Sequence, residues 1–590
     1  MPQVTGRSLP LRHLPFLMMC VLALVPSARA EAWVRVRSAH FEVLSDAAPE
    51  RARAVAVGLE RFRRVMAAVL GRAPGGADPP TVVVAFRGQD SFAPFRPLYR
   101  GRPQDVEGYF QAGSDRDYIA ASLGSDGQEA SETLFHEYAH VVLNRTLSAQ
   151  PLWLSEGLAE VFSRWTATDA EALVGLPAPD HLRRLQREKP LPLARLLQVD
   201  GSSPLYNEGD ERGIFYSQSW ALAHWIVFGR GANAPADLQA FLSAITAGTE
   251  PARAFASAFG ASPDAVEGLL AAYLAAPLPV GRFDTSGLDG DVTVESEAPR
   301  RAEVEFRLGD LLLHAGRLPE ARRHLERAVE SDPRLGPAHA ALAHAALRQG
   351  RWEEARREVA LALAADPADA VALSRYAELL VRETSARGEV LSAEREAEAV
   401  AALERALTLD PQLADACELL ARLRPQPYDV RIAQVLVALG RDPARADLGL
   451  TLAALYARKN DFTAARAALL RTGAMARDDV DRFLSRHLLS RLERLTAGTA
   501  EVKGTLLALD CRPGGVLRFV VAGAGAPLRL EAPSATGVFL YGRGGDQLER
   551  TFTCGPQHEA VTARYRPVPG PSPSPEGADG TLLSLIFESR

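Results

Sequence analysis

The sequence predicts a multidomain protein in which an α/β domain precedes an α-helical repeat region and a small β-rich domain. The 590 residues correspond to about three or four domains. Small residues recur with a 34-residue period after position 300, and strand-like alternation begins near position 500. The predicted segments are a signal peptide (1–30), the α/β domain (31–280), a linker (281–300), the repeats (301–480), a connecting helix (481–499) and the β-rich domain (500–590).

The first thirty residues have the features of a cleaved export signal. A weakly basic start precedes an apolar run from Leu14 to Val25, and Ala28-Arg29-Ala30 forms a small-x-small cleavage site. A membrane anchor is the alternative, but the run is short for a bilayer span. We therefore expect an exported protein, periplasmic or extracellular, with no membrane span after signal removal.

Charge excludes one class of partner. The net charge is −6 and the isoelectric point is about 6.1, so no basic surplus points to nucleic acid.

Cys20 leaves with the signal, whereas Cys511 and Cys554 lie in the β-rich segment, where export makes a disulfide between them plausible. Cys417 lies in a helical pattern and is expected to be a buried apolar residue.

The α/β domain is predicted from its order of elements. Residues 33–45 alternate like a strand, 49–70 form an amphipathic helix, and 81–86 and part of 107–122 form further strands. Residues 126–276 are expected to be mainly helical. The Gly- and Asp-rich stretch that follows has the composition of a linker.

The repeat region resembles the tetratricopeptide repeat. Paired small residues, such as Gly316 and Gly350 or Ala321 and Ala355, lie 34 residues apart, and an Asp-Pro closes each unit. A third unit carries a ten-residue insertion, 448–475 resembles a degenerate unit, and 415–447 is left unassigned. Such arrays offer helical grooves to proteins, so the resemblance implies a protein partner or a bound substrate.

Residues 136–140, HEYAH, form an HExxH motif that can hold a metal ion. Histidines four residues apart lie on one helical face, so His136 and His140 can reach the same ion, and Glu137 lies beside them. Zinc suits neutral imidazole ligands and leaves a position open for water. The alternative is that both histidines are structural and form only hydrogen bonds. A third candidate ligand is needed to favour a metal site over this alternative.

A second motif supplies that ligand. Residues 151–162 read PLWLSEGLAEVF, and HExxH followed by W-L-x-E-G-x-A resembles the gluzincin metallopeptidases of the peptidase MA-like type. The resemblance implies one Zn²⁺ per chain, Glu156 as the third ligand and Glu160 as an outer residue that orients a histidine. Spacing leaves an alternative, because fifteen residues separate His140 from Glu156, fewer than in the aminopeptidases, while the nineteen before Glu160 match the thermolysin type.

The resemblance also implies a mechanism. Glu137 acts as general base towards a zinc-activated water, and a substrate lies extended along an edge strand within residues 107–122. Tyr216, in the helix that follows, is a candidate to stabilise the oxyanion, with a core tyrosine as the equal alternative. His224 in the same helix is expected to be structural.

The expected function is therefore an exported zinc metallopeptidase that hydrolyses peptide bonds, with a slight preference for an endopeptidase. Two alternatives remain open. One is a non-catalytic zinc-binding scaffold that acts through repeat-mediated protein–protein interaction, and the other is a peptidase whose cleft is covered until activation.

Overall fold

The computed structural model describes residues 33–588 apart from short segments, namely 71–79, 114, 125–126, 148–149, 169, 202, 208–210, 247–248, 286–291, 477–478, 533, 535–537, 543–547, 549–552 and 569–576. The expected signal peptide and Cys20 lie outside the described residues. Each helix within the described part of the chain is too short or too polar to traverse a lipid bilayer.

The N-terminal region begins as an α/β unit, as the alternation of strand-like and helix-like segments predicts. Its elements in chain order are β1 (Val34–Arg37), β2 (Phe41–Ser45), α1 (Pro49–Leu70), β3 (Thr81–Phe86), α2 (Gln89–Phe92), β4 (Leu98–Tyr99), β5 (Arg102–Pro103), β6 (Gly108–Gln111) and β7 (Tyr118–Ser122).

The helical part follows with α3 (Gly127–Thr146), α4 (Leu152–Ser163), β8 (Trp165–Ala167), β9 (Glu171–Val174), α5 (Pro179–Arg187), α6 (Leu193–Leu196), α7 (Pro204–Asn207), α8 (Glu211–His224), α9 (Ala234–Thr246), α10 (Pro251–Phe259), α11 (Pro263–Ala275), β10 (Gly281–Asp284) and β11 (Glu295–Glu297). A π-helical segment, Trp225–Gly229, extends α8. Strands β8 and β9 were not expected within the helical part, and they pair as a short hairpin.

The expected linker is partly sheet. Strand β10 pairs with β9, and β11 pairs with β1 at one edge of the main sheet. Glu297 of β11 forms an ion pair with Arg35 at 2.7 Å, and Phe283 of β10 packs against the apolar core. Composition alone predicted a linker because the segment is rich in turn-forming residues. Its short strands form by pairing with strands from elsewhere in the chain, which local composition does not indicate.

The main sheet has the strand order β11-β1-β2-β3-β7-β6. Strands β2, β3 and β7 are parallel, and β6 runs antiparallel to β7 at the edge. The all-apolar strand β3 is buried on both faces. Val83 and Ala85 face the core formed with α1 and α3, whereas Val82, Val84 and Phe86 face a second core.

The second core is completed by the helical repeats. The repeat helices are α12 (Arg301–His314), α13 (Leu318–Ser331), α14 (Gly336–Arg348), α15 (Trp352–Ala365), α16 (Ala370–Ala386), α17 (Ala393–Leu409), α18 (Ala414–Leu423), α19 (Tyr428–Arg441), α20 (Ala446–Arg458), α21 (Phe462–Met475) and α22 (Asp479–Thr496). Residues of α12, α13 and α14 share one apolar cluster with the sheet. Polar contacts reinforce it, since Arg307 Nε lies 2.9 Å from Glu42 Oε1.

The repeat helices associate in pairs, and the recurring alanines lie where paired helices meet. Ala321, Ala328, Ala355 and Ala362 are fully buried. The insertion in the third unit lengthens α16 and α17 to 17 residues each, compared with 14 in α13 and α15. Most of the segment 415–447, which the sequence left unassigned, forms the further pair α18 and α19.

The C-terminal domain is a sheet of β12 (Ala500–Cys511), β13 (Leu517–Ala522), β14 (Leu528–Ala532), β15 (Phe539–Gly542), β16 (Gly555–Pro567) and β17 (Gly580–Phe587). Its order is β14-β13-β12-β16-β17-β15, and β14 also pairs with β17. Cys511 and Cys554 are joined in a disulfide, and Cys417 is a buried free thiol.

Candidate metal centre

Helix α3 places the two histidines of the HExxH motif on one face. His136 and His140 are one helical turn apart, and their Nε2 atoms lie 3.2 Å from each other. The helix lies beside β6 and β7, and Gly108 of β6 is needed for that approach, because a Cβ there would lie 2.8 Å from Thr133 Cγ2. The imidazoles therefore face a cleft beside the edge of the sheet.

Helix α4 brings Glu156 to the same point. Its Oε2 lies 3.3 Å from His136 Nε2 and 3.5 Å from His140 Nε2. One ligand atom from each of these three side chains falls within 4.8 Å of the others. Glu156 is buried, and its Oε2 accepts no well-oriented hydrogen bond within the described structure.

Glu160 takes a different position, one turn further along α4. Its Oε1 lies 3.5 Å from Nδ1 of His136, on the far side of the ring from the Glu156 carboxylate. Its Oε2 lies 3.1 Å from His181 Nε2, and His181 Nδ1 lies 3.0 Å from Ser217 Oγ. Glu160 is thus placed to fix the ring of His136 and not to share the point where the Nε2 atoms meet.

His140 is fixed from α4 as well. Its Nδ1 lies 3.1 Å from the hydroxyl of Ser155. With Nδ1 of each ring held by an outer partner, both Nε2 atoms are directed to the Glu156 carboxylate. If Nδ1 carries the proton in each neutral ring, Nε2 has a free lone pair with which to bind a metal ion.

The glycine after Glu156 explains the close fit of α4 to α8. A Cβ on Gly157 would lie 2.2 Å from the carbonyl oxygen of Ser219 and 2.8 Å from Ala223 Cβ. Real Cβ atoms essentially never come within 3.0 Å of other heavy atoms. Only glycine therefore allows these helices their present separation, and that separation sets where Glu156 and Tyr216 lie.

The electrostatics of the cluster favour a bound cation. Burial opposes a charge on His136, but the carboxylates of Glu156 and Glu160 raise its pKa to about 10. Burial likewise opposes ionisation of Glu156, yet the two histidines hold its pKa below the usual value. Carboxylates surround the imidazoles, so the cluster stabilises positive charge, whether as protons or as a metal ion.

Glu137 points into the cleft from the same helix. Burial raises its pKa above the usual value, and the charges of His136 and His140 oppose that rise. Phe110 of β6 lines the same cavity as Glu137. The general-base candidate therefore shares this cavity with the edge strand and lies next to the candidate metal-ligand cluster.

Two tyrosines form the opposite wall of the cleft. The ring of Tyr216, on α8, lies 6.5 Å from that of His136 and is stacked 6.1 Å from Tyr206, on α7. The Tyr206 hydroxyl donates a hydrogen bond to Glu156 Oε1 at 3.1 Å. Burial and the charge of Glu156 raise the pKa of both phenols, so each remains a proton donor at neutral pH.

His224 is not part of the cleft. It is fully buried, with Nε2 3.0 Å from Gly175 O and Nδ1 2.7 Å from the Tyr273 hydroxyl. Burial lowers its pKa, which keeps the ring neutral. These contacts describe a satisfied core histidine.

We call this cavity the metal cleft. It has a volume of about 630 Å³ and is lined by the metal-ligand cluster, Glu137, the two tyrosines and β6. Sequence reasoning found His136, His140, Glu137 and Glu156 from their motifs. It missed Tyr206, His181 and Ser155, because nothing in their local sequence marks them, although Ser155 precedes Glu156 within the second motif.

The donor set suits zinc. Two imidazoles and one carboxylate are the ligands of a catalytic zinc that keeps a further position open. The buried Glu156 oxygen without a well-oriented donor is an atom that such an ion would satisfy.

Comparison with known proteins identifies the repeats. The family model of the tetratricopeptide repeat matches residues 312–380, which confirms the predicted repeat type. No curated protein sequence matches the chain.

Several solved structures are similar to part of this chain. A structure of PilF from Pseudomonas aeruginosa is 23% identical with a TM-score of 0.25, and the match covers 34% of this chain and 93% of that one. The tetratricopeptide protein TTC0263 of Thermus thermophilus is 21% identical with a TM-score of 0.27, over 32% and 98%. Yeast Tom70 is 13% identical with a TM-score of 0.27, over 54% and 58%.

Proposed function

We propose that the protein is a zinc-dependent metallopeptidase of the gluzincin type that binds a protein through its tetratricopeptide repeats. The observation that carries the proposal is the meeting of His136, His140 and Glu156, whose ligand atoms lie within 4.8 Å of one another beside Glu137. A zinc ion held there supplies a Lewis acid that polarises a carbonyl and lowers the pKa of water.

The chain's own residues account for the proton transfers. Glu137 takes a proton from the attacking water on its carboxylate and passes it to the leaving amine as the peptide bond breaks. Its raised pKa brings the carboxylate closer to the working pH, which suits a group that must accept and then return a proton. The phenol of Tyr216 donates a hydrogen bond to the oxygen that gains negative charge.

The edge of the sheet positions the substrate. Strand β6 lies at the rim of the metal cleft, and an extended peptide can pair with it as an added strand. Such pairing reads the backbone of the peptide, which suits cleavage within a chain, that is, an endopeptidase. The Tyr206 hydroxyl and Glu160 hold Glu156 and His136 in place.

Export to the periplasm or the extracellular space is part of the proposal. The disulfide between Cys511 and Cys554 supports it, because such bonds persist in oxidising compartments. The repeats indicate a protein partner, whether the substrate itself or a regulator.

Zinc content and hydrolysis test the proposal together. Elemental mass spectrometry should find one zinc per chain in the wild type, none in Glu156→Ala and partial occupancy in Glu160→Ala. Glu137→Gln should keep its zinc but lose casein hydrolysis by at least about 100-fold. Glu353→Gln, the same change at an exposed position of α15, should alter neither property.

Three results would overturn the proposal. Full hydrolysis by Glu137→Gln would remove the assigned base. A folded wild type that binds no added zinc would leave a scaffold that acts through its repeats alone, and zinc binding without hydrolysis would leave the non-catalytic zinc-binding scaffold.

A further inference from the structure

The outer side of α22 leaves apolar side chains in solvent. Val480, Phe483 and Leu495 expose 66%, 62% and 65% of their surface, and Leu484 exposes 38%. Positions separated by 3, 4 and 11 residues, as these are, lie on one side of an α-helix. Leu492, on the side that packs, is buried in the solenoid core. Apolar side chains grouped on an exposed side of a helix indicate a binding surface.

Basic residues share this side of the helix. His487, Arg491 and Arg494 lie between the apolar residues at the same helical spacing, and all three are exposed. We call these seven residues, four apolar and three basic, the α22 face. None of them is acidic, and the described parts of the chain contain no ion pair that involves Arg491 or Arg494. The positive charge of the α22 face is therefore available to a partner.

The acidic residues of α22 lie outside the α22 face. Glu493 is 3.3 Å from Arg466 of α21, which balances its charge. Asp479 and Asp481 belong to the first turn, where negative charge stabilises the positive end of the helix dipole. Arg486, beside the face, is exposed as well. Beyond its first turn, the exposed side of α22 is thus positively charged.

The fold holds α22 with this face outward. Arg482 Nη1 lies 2.8 Å from Asp200 Oδ2, in the segment between α6 and α7. Leu488 and Leu489 pack against the solenoid core. Because the helix is already fixed by these contacts, a partner can bind the α22 face without having to fold it.

The composition of the α22 face argues for one kind of partner. A symmetric contact with a second copy would join two faces that both lack a carboxylate for Arg491 and Arg494, because the same face meets itself in such a dimer. The outer side of a terminal solenoid helix is polar where it serves solubility, which leaves Phe483 unexplained. A bilayer with anionic phospholipid offers phosphate groups to the arginines and the edge of the acyl region to the apolar side chains.

We propose that the α22 face binds the surface of a lipid bilayer that contains anionic phospholipid. The helix lies along the surface, with Phe483 and the other apolar side chains at the boundary between headgroups and acyl chains and with the arginines at the phosphates. The protein is held at a membrane in this way without a span of its own. The inference goes beyond the proposed peptidase function and depends neither on zinc nor on hydrolysis.

Flotation with lipid vesicles tests the inference. The protein used is residues 31–590, because the apolar run of the expected signal peptide would itself bind lipid, and Trp33–Arg590 form one compact unit. One set of vesicles contains equal parts of phosphatidylglycerol and phosphatidylcholine, and the other contains phosphatidylcholine alone. The protein should bind the anionic vesicles at least about tenfold more tightly, and an increase in salt from about 0.1 to about 0.5 M should remove most of that difference. No binding to anionic vesicles, or equal binding to both kinds, would overturn the inference.

Two double variants locate the site on the α22 face. Phe483→Ser with Leu484→Ser should weaken binding to anionic vesicles by at least about tenfold, because it removes apolar surface from the contact. Arg491→Glu with Arg494→Glu should remove the preference for anionic lipid. All four positions are exposed, and unchanged urea midpoints of both variants show that the fold is retained.

The matched controls lie on α17. Leu409 is 47% exposed and Arg405 is exposed as well, so Leu409→Ser and Arg405→Glu make the same kinds of change on a different helix. Both should bind vesicles as the wild type does. If the control variants lose binding as the face variants do, or if the face variants lose none, the assignment to α22 is wrong.

A fluorescent label reports the contact directly. Cys417 is buried and Cys511 is joined to Cys554, so a thiol introduced on the surface is the one that reacts with an environment-sensitive dye. With anionic vesicles, the emission of labelled Phe483→Cys should shift to shorter wavelength, whereas that of labelled Arg405→Cys should not. No shift at position 483 would overturn the inference. A lipid-free dimer that Phe483→Ser abolishes would also overturn it and assign the face to a second copy of the chain.

Discussion

Replacing Gly157 by alanine tests how the second motif fixes the metal centre. The new Cβ would lie 2.2 Å from the Ser219 carbonyl oxygen, which belongs to the backbone of α8 and cannot turn away as a side chain can. The contact falls short of the 3.0 Å limit by about 0.8 Å, so α4 and α8 must separate by about that distance.

Two opposing effects set the expected magnitude. Alanine in place of glycine within a helix stabilises by about 1 kcal/mol. Forcing an extra methyl group into a packed core costs about 1–3 kcal/mol, and a clash with backbone belongs at the upper end. We therefore expect a net loss of about 2 kcal/mol in the free energy of unfolding.

The same displacement affects metal binding. Glu156 is the neighbour of Gly157, and sites of this kind tolerate only about 0.5 Å of misplacement. Zinc affinity should therefore fall by at least about tenfold, which corresponds to about 1.4 kcal/mol.

Urea unfolding of the metal-free protein and competition with a chelator for zinc measure the two effects. The control is Gly268→Ala, in an exposed part of α11 with no other atom within 4 Å of the new Cβ. That change should stabilise by about 1 kcal/mol and leave zinc affinity unchanged. If Gly157→Ala behaves like the control, the packing argument for the motif glycine is wrong.

Three further changes test other parts of the structure. Tyr216→Phe should lower kcat on casein by about 100-fold at unchanged zinc content, and an unchanged kcat would leave this tyrosine a packing role. Glu160→Gln should weaken zinc binding by about 10- to 100-fold in chelator competition, because it removes the charge beside Nδ1 of His136. If the variant binds zinc as tightly as the wild type, Glu160 does not support the metal site. The hydrogen bond to Glu358 raises the pKa of His339, so their contact stabilises fully below the unfolded pKa near 6.5 and is lost as the pH rises through the folded pKa. The urea midpoints of wild type and His339→Gln should therefore converge at alkaline pH, and a constant gap would contradict this linkage.

Local sequence was sufficient to place the candidate metal ligands and the repeats, because both depend on short-range geometry. The spacing of His136 and His140 follows from the helical period, and the 34-residue repeat follows from pairs of helices. Motif context favoured Glu156 and spacing favoured Glu160. That choice depends on the loop between α3 and α4, whose path the spacing of residues does not determine.

Other features required distant parts of the chain to meet. Tyr206 and His181 lie far along the chain from the motifs they support, and no local pattern marks them. The segment expected as a linker contains β10 and β11, because short strands gain their hydrogen bonds from partners elsewhere in the chain.

The sequence by itself determined the order of the segments, the HExxH face and the repeat type, because each is written in the periodicity of neighbouring residues. Only the tertiary structure decided that the first repeats cover the second face of the sheet and that β6 lines the metal cleft. A strand buried on both faces needs two covering layers, and sequence periodicity does not say which helices supply them.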